Sequence, residues 1–219
     1  MVVGQSGGPT VAINSSLAGV IKGALDSGFE GKILGMVNGI EGLLKRLVKG
    51  EIPFQRRNMI LAEGDINGCD RCLALNEITI HRHGATMISI ETYVNDNRIA
   101  TYHGDGLVIS TPTGSTAYSL SAGGPVVDPM CQCFILSPLA PHNLTMRPIV
   151  VPNNITITLR LMARGGEAFL SADNRTYPIT DGATIRLRCA DEQLILATPH
   201  TNSFYDTLRE KMMWGVDNR

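Results

Sequence analysis

A run of glycines and small hydroxyl residues from Asp105 to Pro125 contains the residue types best suited to binding a polar ligand at close range. Glycine lets the backbone approach a ligand, and serine and threonine hydroxyls both donate and accept hydrogen bonds. Asp105 precedes a strand-like segment, where its carboxylate can accept hydrogen bonds from ribose hydroxyls or from an amide. Residues 116–121 are predicted to begin a helix that faces this ligand. The alternative is a solvated Ser/Thr-rich loop.

Asn76 and Glu77 interrupt an otherwise apolar segment, residues 73–80, that is predicted to form a strand. Burying such a polar pair without partners is costly. The edge of an adenine or a ribose carries both donors and acceptors and would satisfy the two side chains. The alternative is a strand that ends and restarts at a bulge.

A second glycine-rich stretch, Gly4 to Thr10, follows a strand-like start and precedes a helical pattern. The first turn of a helix leaves backbone N–H groups free to bind an anion, so Gly7, Gly8 and Thr10 are candidate phosphate-binding residues. The stretch is neither a P-loop nor a Gly-x-Gly-x-x-Gly fingerprint. A tight turn between a strand and a helix, without a ligand, is the alternative.

The five cysteines are expected to be reduced thiols, because their number is odd and their spacings are mixed. The pairs Cys69/Cys72 and Cys131/Cys133 leave a zinc site open as the alternative. No metal-binding residue is predicted on this basis.

The histidines and arginines outside these motifs are expected to have structural rather than catalytic or metal-binding roles. His81 and His83 alternate at the end of a predicted strand and are expected to be solvated rather than metal-bound. His142 is expected to shape its loop rather than to act as an acid or base. Arg56 and Arg57 are expected to be solvated charges in a linker, with contact to a donor phosphate as the alternative.

The composition excludes functions that depend on a large net charge. The chain has 219 residues, 43% hydrophobic and 18% charged, with a net charge of −1. A chain of this kind can bury a core, and no overall field draws it to nucleic acid or to an anionic membrane. Any phosphate must therefore be held by a local site. The first residues lack a basic segment followed by an apolar one, so no signal peptide is predicted.

Two patterns of hydrophobic residues divide the chain. Residues 1–52 are predicted to be α/β, with short strands at 2–3 and 32–37, a helix beginning at Pro9 or Thr10, and another helix over 41–49. After Pro53, short strands at regular spacing are typical of a sandwich or folded sheet. The predicted strands are 73–80, 86–94, 98–103, 107–110, 134–139, 149–151, 155–162, 184–189 and 194–197, with a hairpin turn over 95–97 and a closing helix over 203–214.

Residues 73–214 resemble the NAD kinase family. The resemblance is carried, in order, by Leu75-Asn76-Glu77, the run from Asp105 to Pro125, Ser137-Pro138-Leu139-Ala140-Pro141-His142, Arg147-Pro148-Ile149-Val150 and the tail from Ser203 to Trp214. It implies phosphorylation of the adenosine 2′-hydroxyl of NAD to give NADP. It also implies ATP or polyphosphate as the donor, Mg2+ as the metal ion, and a cytoplasmic homodimer or homotetramer.

The same resemblance implies roles for individual residues in an NAD site. Asn76 and Glu77 would hold the adenosine part, and Asp105 would contact the nicotinamide side. The other residues that would line the nucleotide pocket are Thr116, Ala117, Tyr118, Ser121, Ala140 and Asp173, with Tyr118 stacking on the nucleotide. Asp173 corresponds to the aspartate of an Asp-Gly turn, although Asn174 follows it in this sequence.

Residues 4–44 are similar to the start of a phosphofructokinase, most of all the pyrophosphate-dependent type. The likeness rests on the Gly4–Thr10 stretch, the segment 14–20 and the segment 35–44. In that family the first turn between a strand and a helix borders the phosphoryl-donor site.

Both families use a Gly-Gly-Asp-Gly turn for phosphoryl transfer, and this sequence contains none. Asp65 lies among glycines and is a weak substitute, because its spacing differs and no strand is predicted before it. Phosphoryl transfer depends mainly on positioning and charge stabilisation. Two hypotheses remain: an NAD kinase, or a catalytically inactive NAD-binding chimera that lacks the donor motif.

The predicted fold is therefore α/β plus all-β. Residues 1–52 would form a truncated phosphofructokinase-like α/β unit, residues 53–72 a junction, and residues 73–219 an NAD-kinase-like β domain closed by the C-terminal helix. That helix is expected to return to the N-terminal unit, with the NAD pocket between the two parts. Oligomerisation would cover exposed strand edges.

Overall fold

The computed structural model describes residues 2–4, 34–36, 54–164, 166–197 and 203–215. Their strands are β1 (Val2–Gly4), β2 (Leu34–Met36), β3 (Phe54–Gly64), β4 (Cys72–Ala74), β5 (Glu77–Arg82), β6 (Ile88–Val94), β7 (Asn97–Gly104), β8 (Gly106–Ser110), β9 (Cys133–Leu139), β10 (Ile149–Pro152), β11 (Ile157–Met162), β12 (Glu167–Ala172), β13 (Arg175–Thr180) and β14 (Thr184–Ala197). A 3-10 turn spans Thr113–Thr116, and the described helices are α1 (Tyr118–Ser121) and α2 (Phe204–Met212).

The described strands form two sheets. The first has the order β1-β2-β14-β11-β6-β7, with β3 paired to β14 and β4 paired to β3. The second has the order β10-β9-β8-β5-β12-β13 and is antiparallel throughout. In the first sheet β2 pairs in parallel with both β1 and β14, so the N-terminal strands extend a sheet that is otherwise antiparallel.

One apolar core lies between the two sheets. Ile90 and Leu159 from the first sheet and Ile80 and Leu136 from the second are at most 1% exposed and belong to the same cluster. Burying each such side chain stabilises the fold by about 1.5–3 kcal/mol. In β11 buried and outward-facing residues alternate from Ile157 onward, as the sequence predicts.

β3 is buried on both faces in its second half. Ile60 and Ala62 belong to the core between the sheets, whereas Met59 and Leu61 belong to a second, smaller cluster. Successive residues of a strand point to opposite faces, so this second cluster lies on the other side of the first sheet. A segment predicted to be a junction is therefore a central strand, paired with β14 along its length.

Several predicted strands agree with the structure, and some differ in instructive ways. The short strands β1 and β2 lie where the sequence places them, and Asn95 and Asp96 adopt positive φ values of 46° and 65° in the predicted hairpin turn. The segments 184–189 and 194–197 join into the single strand β14, which is interrupted only by an irregularity between Cys189 and Gln193. β12 and β13 have no counterpart in the prediction. In β13, Pro178 argues against a strand unless that strand lies at an edge, as β13 does.

Cys69 and Cys72 form a disulfide, whereas Cys131, Cys133 and Cys189 are free. The expectation of reduced thiols is therefore wrong for the first pair. Their Cα atoms lie 5.9 Å apart, within the range that a disulfide can bridge. Among the described residues no group of three or more His, Cys, Asp or Glu side chains is placed to hold a metal ion.

The N-terminal helices and the Gly4–Thr10 turn lie outside the described residues, apart from the strand residue Gly4. The α/β unit, its likeness to a phosphofructokinase and the division into domains stay predictions. None of the helices in the described ranges is long and apolar enough to cross a membrane.

Candidate functional site

The chain crosses from the first sheet to the second at Leu75 and Asn76, between β4 and β5. The predicted continuous strand is therefore two strands in different sheets, with Asn76 between them and Glu77 at the start of β5. Asn76 is 2% exposed and Glu77 is 7% exposed. The polar pair is thus buried at the point where the two sheets are joined.

Asp173, in the turn between β12 and β13, clamps this crossing. Its Oδ2 accepts from the backbone N–H of Leu75 (2.9 Å), and its Oδ1 accepts from those of Asn76 (2.8 Å) and Glu77 (3.2 Å). The backbone N–H of Asp173 donates in return to the carbonyl of Glu77 (3.0 Å). Asp173 has a φ of 52°, in the left-handed region, whereas Asn174, at the glycine position of the Asp-Gly turn, does not have a positive φ.

The glycine- and hydroxyl-rich run packs directly on the crossing. The backbone N–H of Thr111 donates to the carbonyl of Asn76 (2.8 Å), and the Thr111 hydroxyl donates to the carbonyl of Leu75 (2.7 Å). A Cβ atom at Gly114 would overlap the carbonyl oxygen of Asn76. Glycine at this position thus allows the 3-10 turn to lie against the crossing.

A cavity of about 660 Å³ opens on the outer face of the second sheet. Glu77, Thr79 and His81 line it from β5, because alternate residues of a strand share a face. Ser171 and Asp173 line it from β12 and the following turn. Its volume is within the range of small-molecule binding sites.

At one end of the cavity two carboxyl groups lie close together. Burial, and secondly the charge of Asp173, raise the pKa of Glu77 to about 8, although the backbone N–H of Tyr118 acts in the opposite direction. Burial also raises the pKa of Asp173, opposed by its three backbone hydrogen bonds and by Arg175. The three N–H groups that Asp173 accepts favour its ionised form, so Glu77 is the carboxyl group of the two that holds a proton more readily.

Glu77 is therefore neutral near pH 7. Its Oε2 is buried and has no hydrogen-bond partner. A protonated carboxyl can donate one hydrogen bond and still accept others. This end of the cavity can consequently serve a ligand group that carries acceptors as well as donors.

At the other end of the cavity Arg82 and Asp105 form an ion pair. The Nε of Arg82 donates to Oδ1 of Asp105 (2.6 Å), and its Nη1 donates to the carbonyl of Gly84. The backbone also links the two residues, since the N–H of Arg82 donates to the carbonyl of Asp105 (2.9 Å). Leu139 and Ala140 line the cavity beside them.

His81 corrects the expectation of a solvated histidine. It is partly buried on the cavity wall, with Nε2 3.3 Å from the Ser171 hydroxyl and its ring 5.6 Å from that of Phe169. His83 is exposed and packs edge-on against the same Phe169 ring at 5.0 Å.

The structure brings together part of the predicted site. The predicted residues that line the cavity are Glu77, Asp105, Tyr118, Ala140 and Asp173. Asn76 lies at the crossing behind it, while Thr116, Ala117 and Ser121 lie on the adjoining turn and helix but not on the cavity wall. Thr79, Arg82 and Ser171 also line the cavity but were not predicted from the sequence. Thr79 could have been predicted, because alternate residues of a strand share a face and Glu77 lies two positions before it.

Other predicted residues lie elsewhere. Asp65 is exposed in the turn after β3, where its Oδ2 accepts from the backbone N–H of Thr184 (2.9 Å), and it does not line the cavity. Arg57 is 9% exposed on β3 and donates to Oε1 of Gln55 (2.5 Å), so the expectation of a solvated linker charge is wrong for it. His142 is exposed, and its backbone N–H holds the loop to the carbonyl of His103 (2.8 Å). Gly7, Gly8 and Thr10 lie outside the described residues.

Comparison with known proteins gives one family. The model of the ATP-NAD kinase C-terminal domain matches residues 75–198. An NAD kinase of Porphyromonas gingivalis is 41% identical over 175 residues, which are 80% of this chain and 60% of that protein. An NAD kinase of Bacteroides fragilis is 43% identical over 147 residues, which are 67% of this chain and 51% of that protein. The chain thus spans between about half and three fifths of the length of these relatives.

Solved structures show the same fold. A yeast NADH kinase complexed with NADH superposes with a TM-score of 0.75 at 20% identity, covering 86% of this chain and 60% of that one. An NAD kinase from Archaeoglobus fulgidus in complex with ATP superposes with a TM-score of 0.64 at 29% identity, covering 77% and 69%.

Proposed function

Because the chain belongs to the NAD kinase family through this C-terminal domain, we propose that its cavity binds NAD and that the protein phosphorylates the adenosine 2′-hydroxyl to give NADP. ATP or polyphosphate is the proposed donor. The observation that carries the proposal is the clamped crossing at Asn76 and Glu77, which presents the buried Glu77 carboxyl to a cavity of suitable volume, with Asn76 directly behind it.

The proposed role of each residue depends on the end of the cavity at which it lies. Asn76 and Glu77 hold the adenosine part, with the neutral Glu77 carboxyl as a donor to it. Tyr118, whose side chain is 44% exposed at the cavity, stacks on the nucleotide. Asp105 and Ala140 meet the nicotinamide side, and Thr116, Ala117 and Ser121 support the nucleotide from the adjoining segment. Asp173 lines the same end of the cavity and holds its backbone through hydrogen bonds to the crossing.

No residue of the described ranges is assigned to the phosphoryl donor. The sequence has no Gly-Gly-Asp-Gly turn. The carboxylate of Asp65 accepts a hydrogen bond from the backbone N–H of Thr184, away from the cavity. The described residues also include no cluster suited to Mg2+, so we assign no metal ligands and no step to that ion. The missing motif favours a second candidate function: an NAD-binding chain that does not transfer phosphate.

One experiment separates the two candidates. NAD binding is measured by calorimetry, and NADP formation is measured with NAD, ATP and Mg2+, for the full chain and for Asp105→Ala. Binding together with NADP formation that Asp105→Ala abolishes is the result expected of a kinase. Binding without turnover supports the second candidate, and the absence of NAD binding contradicts both.

The proposed assembly is a cytoplasmic homodimer or homotetramer. β10 lies at an edge of the second sheet, and its Ile149 and Val150 are 36% and 52% exposed. An exposed apolar edge strand is open to pairing with another strand, which supports self-association.

A further inference from the structure

The ion pair between Arg82 and Asp105 places two opposite charges on one part of the cavity wall. The side chains are 31% and 46% exposed, so both can interact with a ligand and with solvent. Arg82 is held in place by its two acceptors, the Asp105 carboxylate and the Gly84 carbonyl. The guanidinium therefore cancels most of the field that the carboxylate alone would produce here.

The charge at this end matters because the dinucleotide exists in two forms. The nicotinamide ring is a cation in NAD+ and is neutral in NADH, and the rest of the molecule is the same. A lone carboxylate beside the ring would favour the cation, by Coulomb attraction, and a lone guanidinium would disfavour it. An ion pair whose two charges cancel neither favours nor disfavours the cationic ring strongly.

The other carboxyl groups that line the cavity, Glu77 and Asp173, lie together at its far end, where the backbone N–H of Asp173 donates to the carbonyl of Glu77 (3.0 Å). Glu77 and Arg82 are five residues apart on one strand, about 16 Å at the usual rise per residue. Charges on an open cavity wall are largely screened beyond about 8–10 Å at physiological ionic strength. The only other titratable side chain that lines the cavity from β5 is that of His81.

We propose that Arg82 is a specificity-determining residue, which by neutralising Asp105 suppresses the preference of the cavity for the cationic over the neutral form of the dinucleotide. This inference rests on the proposed function, and in particular on a nicotinamide ring beside Asp105. Arg82 thus affects which form of the dinucleotide, NAD+ or NADH, binds more tightly, separately from any effect on the fold.

The test measures the ratio of the NADH and NAD+ dissociation constants at pH 7 and low salt. Removing the guanidinium in Arg82→Gln should raise that ratio about three- to tenfold in favour of NAD+, and Asp105→Asn should lower it by a similar factor. The double variant should return close to the wild-type ratio, because it removes both charges. Raising the salt concentration should shrink both changes.

The control is Arg98→Gln, which removes a guanidinium 3.5 Å from Glu91 on the other sheet and should leave the ratio unchanged. Thermal melts of every variant separate loss of fold from loss of specificity, and Asp105→Asn carries the test if Arg82→Gln does not fold. A ratio that stays within about twofold of wild type in the folded single variants overturns the inference while the proposed function stands. Failure of the wild-type chain to bind either form contradicts the proposed function itself.

Discussion

At the scale of single residues, Glu77 combines burial, an unpartnered oxygen and a neighbouring carboxylate. Its pKa in the folded protein, about 8, lies above the ordinary value of 4.5. Folding therefore favours the protonated form. The resulting contribution to stability is complete below about pH 4.5 and is lost as the pH rises through about 8.

We expect Glu77→Gln to remove this dependence, because the amide keeps the shape of the side chain without a proton to lose. The melting temperature of the wild-type protein should fall, relative to that of the variant, as the pH is raised from about 5 to about 8.5. Differential scanning calorimetry across this range measures the effect. Glu210→Gln, on the exposed part of α2, is the matched control. Parallel curves for wild type and Glu77→Gln would show that Glu77 is ionised throughout.

Residue types and their clustering predicted much of the site. The Asp105–Pro125 run and the Asn76-Glu77 pair mark groups that a core does not need, and they lie at or behind the cavity. The ion pair of Asp105 with Arg82 was not predicted, because it joins residues 23 positions apart. Arg82 ends β5 and Asp105 lies between β7 and β8, and no local pattern shows that β5 and β8 pair. The role of Asp173 was missed for the same reason, since its partners lie 96–98 positions away.

At the scale of elements, the turn between β3 and β4 is closed by the Cys69–Cys72 disulfide. Cys72 opens β4, whose last residue, Ala74, directly precedes the crossing. The backbone N–H of Cys69 also bonds to the carbonyl of Ile66 (3.3 Å), so the turn is folded tightly. The disulfide therefore restrains the segment that leads into the candidate site.

Reduction of this disulfide should lower the free energy of unfolding by about 2 kcal/mol, the value expected for closing so short a loop in the unfolded chain. Urea unfolding with and without dithiothreitol measures the difference. The variant Cys69→Ala/Cys72→Ala should be insensitive to the reductant, and Cys131→Ser, at an exposed free thiol, should respond as the wild type does. An unfolding midpoint of the wild type that does not move with reductant contradicts the prediction.

Strands in which polar and apolar residues alternate regularly, and turns with typical turn residues, were predictable from the sequence. Strands without such a pattern were not. The alternation of β11 and the Asn95-Asp96 turn identify their structures locally. β3 was missed because polar side chains fill its first half, and its assignment depends on pairing with β14. Tertiary pairing therefore overrides local sequence for this strand.

At the scale of the whole molecule, Asp173 joins the two sheets at the place where the chain passes between them. Asp173→Asn replaces one acceptor oxygen with an amide that faces the N–H groups of the crossing. Because hydrogen bonds to charged groups contribute about 1.5–3 kcal/mol, we expect a loss of stability of that order.

Chemical denaturation measures this loss against Asp191→Asn, whose carboxylate is 83% exposed on β14 and should contribute little. The same variant should lower the pKa of Glu77, since the second cause of its elevation is removed. Equal stability of the two variants would show that the clamp is dispensable.

The contact of Gly114 with the carbonyl of Asn76 has a consequence for directed evolution of this protein. The contact is between two backbones, so no change in the side chain at position 76 creates room for a side chain at position 114. In a saturation library, position 114 should therefore retain only glycine, and a second-site search should yield no suppressors at position 76. Such a site limits the paths by which the cavity can be redesigned, because the backbone next to the crossing admits no side chain at position 114.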